Sequence, residues 1–416
     1  MKRIASTILL VATAGLLAAG AFAQSVSTKR PVLLRRNPAI HDIRLEVELF
    51  QQQALNVQGN TPRPAGTNTN NGVGPAYTMT RASIGIPVMI RTSWCDTDFS
   101  NYTTRVTLDG QTVAVDPARV LTKLGGSAEG ILKYDFPVAN GAFSDAVMQT
   151  NYQVQRWDLD VDEPAAMTST WPREWPKGMQ RFLDQEVGIN PANPSLKALA
   201  EGATKGGPRS VSPFLAAKNA VLAILPKWKS FSSTTSVFGQ KGTLRGMAFS
   251  QNGQYGIDAG GGTPVELAAT CVTALRSIGI PSRIVYCLQE GQQRRRDREP
   301  VQFRFVCEFF LPDMGWIPFD PLMMRQQAPV KDPSTTSIKG FANIPDIKDA
   351  LPLALLAVPT GYEMADRYAA WGWTQGPGTR AQVDTDRAAT RIGFSDSGRG
   401  NGKTPTMPAP VSDEAP

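Results

Sequence analysis

The sequence predicts an α+β protein, with an antiparallel β-rich N-terminal half and a mixed helix-and-strand core behind it. Three observations carry this reading. Residues 80–161 are dominated by short β-branched and aromatic runs separated by turn residues. Two stretches, 213–228 and 263–278, carry helical periodicity behind a capping residue. Residues 283–321 then return to strand-like runs that end on Phe319-Asp320-Pro321.

Composition bounds the rest. A length of 416 residues suits two to three domains. Hydrophobic residues make up 41%, which fits a globular chain better than a disordered or membrane one. The formal charge is +7, and losing Lys2 and Arg3 with a leader leaves 7 − 2 = +5. That excess favours anionic surfaces, and no RNP-like, zinc-finger or helix-turn-helix pattern supports a nucleic-acid partner.

Residues 1–23 read as a secretory signal. Lys2 and Arg3 form the charged start, Ile8 to Phe22 the apolar run, and Ala21-Phe22-Ala23 a small-x-small cleavage site before Gln24. The run is short for a membrane anchor, and no Cys follows it as a bacterial lipoprotein would require. The expected location is therefore periplasmic or extracellular after cleavage near Ala23, with no stable membrane span.

Residues 24–79 form a basic, partly flexible N-terminal segment. Within it, Ile43 to Leu49 alternates apolar and polar like a half-exposed strand, and residues 57–76 are rich in Asn, Thr, Gly and Pro. Residues 80–165 are expected to make a β-sandwich-like domain. Ile84–Ile90 is an apolar run, and Thr104–Leu108 and Gln111–Val115 flank Asp109-Gly110, a strong hairpin signal. Leu132–Val138 and Tyr152–Val161 add two strands. Residues 162–178 make a connector containing Trp171 and Trp175.

Beyond it the chain turns helical. Pro194–Ala203 is a short helix, and Ser212-Pro213 caps a longer one whose Phe214, Ala217, Val221, Leu222, Leu225 and Trp228 share a face. Ser230–Gly262 reads as a long Gly-, Ser- and Thr-rich loop. Thr263 then suits an N-cap, Pro264 the first helical position, and Glu266 the far side of a capping box. Val265, Ala268, Ala269, Val272 and Leu275 recur on one face, and Gly279-Ile280-Pro281 ends the helix. Arg283–Leu288 and Phe303–Phe310 form a hairpin around Gln292–Pro300. That pairing would place Cys287 nearly opposite Cys307, close enough for a disulfide. Residues 326–392 are expected to pack back on the core, and 393–416 to form a disordered tail.

The wording of Thr263 to Pro321 resembles the core of the transglutaminase-like superfamily. Leu275-Arg276, Gly279-Ile280-Pro281, Arg283, Val285, Glu308, Gly315-Trp316 and Phe319-Asp320-Pro321 match the family pattern, as do Glu266 and Ala268. The resemblance covers about residues 175–325 and implies a papain-like, transglutaminase-like α+β core. It also implies a Cys nucleophile at the helix start, a His base on a strand and an Asp that orients the His. Counting back from Gly-Ile-Pro, the nucleophile slot holds Pro264; counting back from Glu308, the base slot holds Arg304. Only Asp320 remains.

Pro264 has neither a thiol nor an amide hydrogen, and Arg304 stays protonated. Substitutes are scarce. Cys271 lies two turns along the helix, roughly 10 Å from its start. Cys307 points away from the face of Glu308 and Arg304. His41 is the chain's one histidine and is remote in sequence. Neither a metal site nor a cofactor motif is present. Thr263, Glu266, Gly279, Pro281 and Glu308 are assigned structural roles, and Asp320 a bond to Arg304. Arg294, Arg295, Arg296 and Arg298 read first as a solvated turn and second as a contact for an anionic partner, with Trp316 as an aromatic contact.

The resulting expectation is an exported, non-catalytic transglutaminase-like protein that binds a peptide, polysaccharide or other envelope partner. Two alternatives stay open: an active thiol acyltransferase or protease of the same superfamily, and a structural envelope module.

Overall fold

The computed structural model describes residues 32–51, 82–89, 91–108, 110–113, 129–136, 145–186, 188–231, 236–238, 244–247, 260–290, 301–312, 314–327, 330, 332–355, 372–375 and 388–396. The chain has the α+β composition expected, with helices set against antiparallel sheets.

The largest sheet has five antiparallel strands in the order Ala388–Asp396, Leu33–Gln51, Asp145–Val161, Cys95–Leu108 and Gln111–Val113. Leu33–Gln51 is its spine, running from Leu33 opposite Val161 to Phe50 opposite Asp145. The register slips between Arg36 and Ala39, where Asn37 takes φ 50°. Ile43, Leu45 and Val47 are buried and Arg44 is exposed, the period-2 pattern of a sheet with one covered face. The Asp-Gly hairpin forms where the sequence placed it, with Leu108 opposite Gln111 and Gly110 at φ 77°. A second sheet pairs Ala82–Met89 with Glu129–Phe136 on one side and Gly372–Gln375 on the other.

The five-stranded sheet thus draws strands from both ends of the chain, which local sequence signals do not reveal. The segment expected to be a disordered tail from residue 393 contributes its first four residues to the strand Ala388–Asp396, which pairs with Ile43–Gln51.

The core is a four-stranded antiparallel sheet in the order Gly315–Phe319, Val301–Leu311, Ser282–Glu290 and Leu351–Ala354. The central helix, Pro264–Ser277, packs against it. Every residue from Val265 to Arg276 is buried, so the helix is enclosed on all sides, not amphipathic as its apolar stripe suggested. Helices Pro194–Gly202 and Pro213–Ile224 cover it, each with a proline at its start and a side-chain cap from Asn193 or Ser212. Gly279 ends the central helix at φ +83°, a left-handed position suited to glycine. The indole nitrogen of Trp175 donates to the Gly279 carbonyl at 2.9 Å.

Ser230–Gly262, expected as one long loop, contains short pairings. Ser230–Phe231 runs parallel to Gly261–Gly262, and Ser236–Phe238 pairs with Leu244–Met247. Runs of two to four residues carry too little pattern to stand out among Gly, Ser and Thr.

The β-rich part and the core are joined by buried polar contacts. The Trp94 indole donates to the Ala350 carbonyl at 3.0 Å, and Asn343 accepts from the Val161 amide at 3.0 Å. Lys218, with its side chain 1% exposed, binds Glu163 at 2.9 Å and the Thr336 carbonyl at 2.7 Å.

Candidate functional site

The start of the central helix is held by a capping box. Thr263 Oγ1 accepts from the Glu266 amide at 3.3 Å, and Glu266 Oε2 accepts from the Thr263 amide at 2.7 Å. Pro264 follows, half-buried, at the first helical position. The preceding glycine is obligatory. A Cβ on Gly262 would strike Glu266 Oε2 and would lie 2.9 Å from Cζ2 of Trp228. The Gly-rich end of the segment read as a loop is therefore, at Gly262, a close approach with little room for a side chain.

Arg304, on Val301–Leu311, makes the ion pair expected of it. Its Nε donates to Asp320 Oδ2 at 3.1 Å, and its Nη1 donates to the Asp346 carbonyl at 3.2 Å. Asp320 also caps the short helix Pro321–Arg325, accepting from the Met323 amide at 2.9 Å. That helix closes on the Trp228 segment through Arg325, whose Nε donates to the Trp228 carbonyl at 2.7 Å. Two buried donors here, Arg304 Nη2 and Trp228 Nε1, have no acceptor among the described residues. Trp228 was read only as the end of an apolar helix face; its place beside Gly262 arises from contacts distant in sequence.

Glu308 is fully buried and serves both halves of the molecule. Its Oε2 binds Arg283 at 2.6 Å, and its Oε1 accepts from the Ser93 hydroxyl at 2.6 Å. Arg283 lies over Trp316 with 4.0 Å to the ring centroid. Trp316 also meets Phe182 at 4.8 Å and Phe310 at 5.5 Å. The side chain proposed as a binding contact is thus occupied in covering a buried ion pair. Ser93 had no sequence signal, because its partner lies far along the chain.

The four cysteines are buried as free thiols. The expected Cys287–Cys307 bridge is not made. Cys287 stands opposite Arg304, and Cys307 opposite Ile284. The hairpin forms as expected but its register separates the sulfurs by three residue steps, roughly 10 Å, on opposite faces. Burial pushes Cys95 up to about 11 and raises Cys271, Cys287 and Cys307 as well. A thiol so placed forms no thiolate near neutral pH. Cys307 Sγ lies 3.9 Å from the Ala268 carbonyl, packed beneath the central helix.

Among the described residues, no group of three or more His, Cys, Asp or Glu is arranged to hold a metal ion. No described helix is long and apolar enough to cross a membrane. The arginine turn, Arg294, Arg295, Arg296 and Arg298, lies outside the described residues.

Comparison with known proteins agrees with the core. Residues 241–321 match the model of the Transglutaminase-like superfamily. Among solved structures, a candidate cysteine protease of Cytophaga hutchinsonii is similar over 90% of this chain and 95% of its own, at 11% identity and a TM-score of 0.51. A candidate protease of Parabacteroides distasonis aligns with 65% of this chain and 48% of its own, at 10% identity and a TM-score of 0.24. No curated protein sequence gives a significant match. At 11% identity the first likeness is one of fold, and it extends beyond the core to the β-rich part. The capped central helix, the strand that carries Glu308 and the Gly315–Pro321 stretch all fall within residues 241–321, the segment that is similar to the transglutaminase-like superfamily.

Proposed function

We propose that this chain is an exported, non-catalytic transglutaminase-like protein, which binds a peptide, polysaccharide or other envelope partner around the start of its central helix. The observation that carries the reading is the Arg304–Asp320 ion pair, at the positions where the resemblance implies a His–Asp pair. A thiol mechanism needs a base that gives up and regains a proton, and a guanidinium does neither near neutral pH. Pro264 offers no nucleophile, and the buried thiols form no thiolate. What remains at the site is a fixed guanidinium, held by Asp320 and the Asp346 carbonyl, that can bind and position but not exchange a proton. Export is supported by the charged start, apolar run and Ala-Phe-Ala site of residues 1–23.

The test is an assay of the purified mature chain with a glutamine-containing protein and a fluorescent primary amine, run beside a peptide-hydrolysis assay. The expected result is no incorporation and no cleavage above buffer, with or without prior thiol alkylation. Turnover that alkylation abolishes would contradict the proposal.

A further inference from the structure

The buried ion pairs of the core differ in what their cations can do. Arg276, Arg283 and Arg304 pair with Glu186, Glu308 and Asp320, and Lys218 pairs with Glu163. A guanidinium keeps its protons, whereas an amine that gives one up is a nucleophile. Lys218 is the cation placed to react. It stands inside the helix Pro213–Ile224 with its side chain 1% exposed, and its Nζ lies 5.7 Å from the centroid of Phe341. Glu163 follows the end of the strand Asp145–Val161, and its side chain is 11% exposed.

The two oxygens of Glu163 have different neighbours. Oε2 lies 2.9 Å from Lys218 Nζ, and Oε1 accepts from the Ser337 hydroxyl at 2.5 Å. Lys218 Nζ also donates to the Thr336 carbonyl at 2.7 Å. An amide between Nζ and Cδ loses Oε2 and retains both of the other bonds. Its N–H donates to Thr336, and its carbonyl oxygen accepts from Ser337. Cδ itself is about 3.5 Å from Nζ, close to the separation of reacting atoms in a near-attack pair. Packing holds both ends, so little further order is lost on reaction.

We propose that Lys218 and Glu163 condense in the folded chain to an isopeptide bond. A proton passes from the ammonium to Oε2, leaving a neutral amine beside a carboxylic acid. Burial favours this exchange, because the neutral pair carries no desolvated charge. Nζ then attacks Cδ, and the Ser337 hydroxyl stabilises the charge that develops on Oε1. A second proton passes from Nζ to Oε2, the Cδ–Oε2 bond breaks, and water leaves on the side where Ser337 is exposed. Ammonium and carboxylate give one secondary amide and one water, with no oxidant or cofactor. The bond joins the connector behind the β-rich part to a helix of the core, and it staples a chain whose cysteines are free thiols.

The experiment is trypsin digestion of the purified mature chain, followed by mass spectrometry. Trypsin does not cut after an acylated lysine. The expected product is a branched peptide joining Trp157–Arg173 to Ser210–Lys227, lighter than the two together by one water, about 18 Da. Lys218→Arg keeps a cation beside Glu163 but cannot condense, so its digest should release Trp157–Arg173 unlinked. Ser337→Ala, at an exposed position, is expected to slow formation at least tenfold when the chain is followed from cell-free synthesis. Unlinked Trp157–Arg173 and Ser210–Lys218 as the products of the wild-type chain after prolonged incubation would overturn the proposal. A branched peptide that forms only in unfolded chain, or at the same rate in Ser337→Ala, would overturn the proposed route. The wild-type digest decides the question whether or not either variant folds.

Discussion

Arg304 fixes what chemistry is open to the site. Its guanidinium holds its protons, hydrogen-bonds Asp320 and the Asp346 carbonyl, and orients the short helix that Asp320 caps. A pair of this kind can position and bind, but it cannot relay protons. Glu308 shows a second use of a family residue. It is buried, and it neutralises Arg283 while receiving Ser93 from the β-rich part. Glu308→Gln keeps the shape and removes the charge, leaving Arg283 buried without its counter-ion. The expected cost is about 3–5 kcal/mol, read from the urea unfolding midpoint; a change below about 1 kcal/mol would mean that Arg283 finds another partner. At this scale the sequence was legible where motif spacing is short. Pro264, Arg304 and Asp320 could be located by counting along one stretch. Ser93, Trp228 and the tight approach at Gly262 could not, since each depends on a partner brought in by the fold.

Among the elements, the central helix was the most legible, because cap, proline, apolar period and glycine stop all agree with one another. Its complete burial was not, since a helix hydrophobic on one face and rich in Ala and Thr elsewhere reads as amphipathic. Thr263→Ala removes one half of the capping box and should cost about 0.5–2 kcal/mol in thermal or denaturant unfolding, with Thr263→Ser close to wild type. Equal losses for both would point to packing of the threonine methyl instead. The hairpin Ser282–Glu290/Val301–Leu311 was legible as a hairpin but not in register. No β-turn signature in the sequence between the two strands pins the pairing, so the cysteine alignment failed.

For the molecule as a whole, the strand order of the five-stranded sheet was the least legible feature. Ala388–Asp396 pairs with Leu33–Gln51 across most of the chain length, and no local signal encodes that partnership. The core also leans on the β-rich part through Ser93–Glu308, Trp94–Ala350 and Asn343–Val161. Deletion of residues 1–165 is therefore expected to leave a core without cooperative thermal unfolding, checked by near-UV circular dichroism; a sharp native-like transition would show the core to be autonomous. Alkaline pH offers a second whole-molecule test. Burial holds Cys95 at about 11 against an ordinary 9.0, and the other three thiols are raised as well. Between about 9 and 11 the unfolded chain releases protons that the folded chain keeps, so stability should fall as pH rises through that window. The unfolding midpoint is expected to drop over that range in wild type and to drop less in Cys95→Ala.

The central claim is that a transglutaminase-like frame persists here without a reactive thiol. Brief exposure of the native full-length chain to iodoacetamide near neutral pH, followed by intact-mass measurement, tests it most directly. The account predicts no adduct until denaturant is added, when all four cysteines react. Rapid single labelling of one cysteine in the native chain would contradict it.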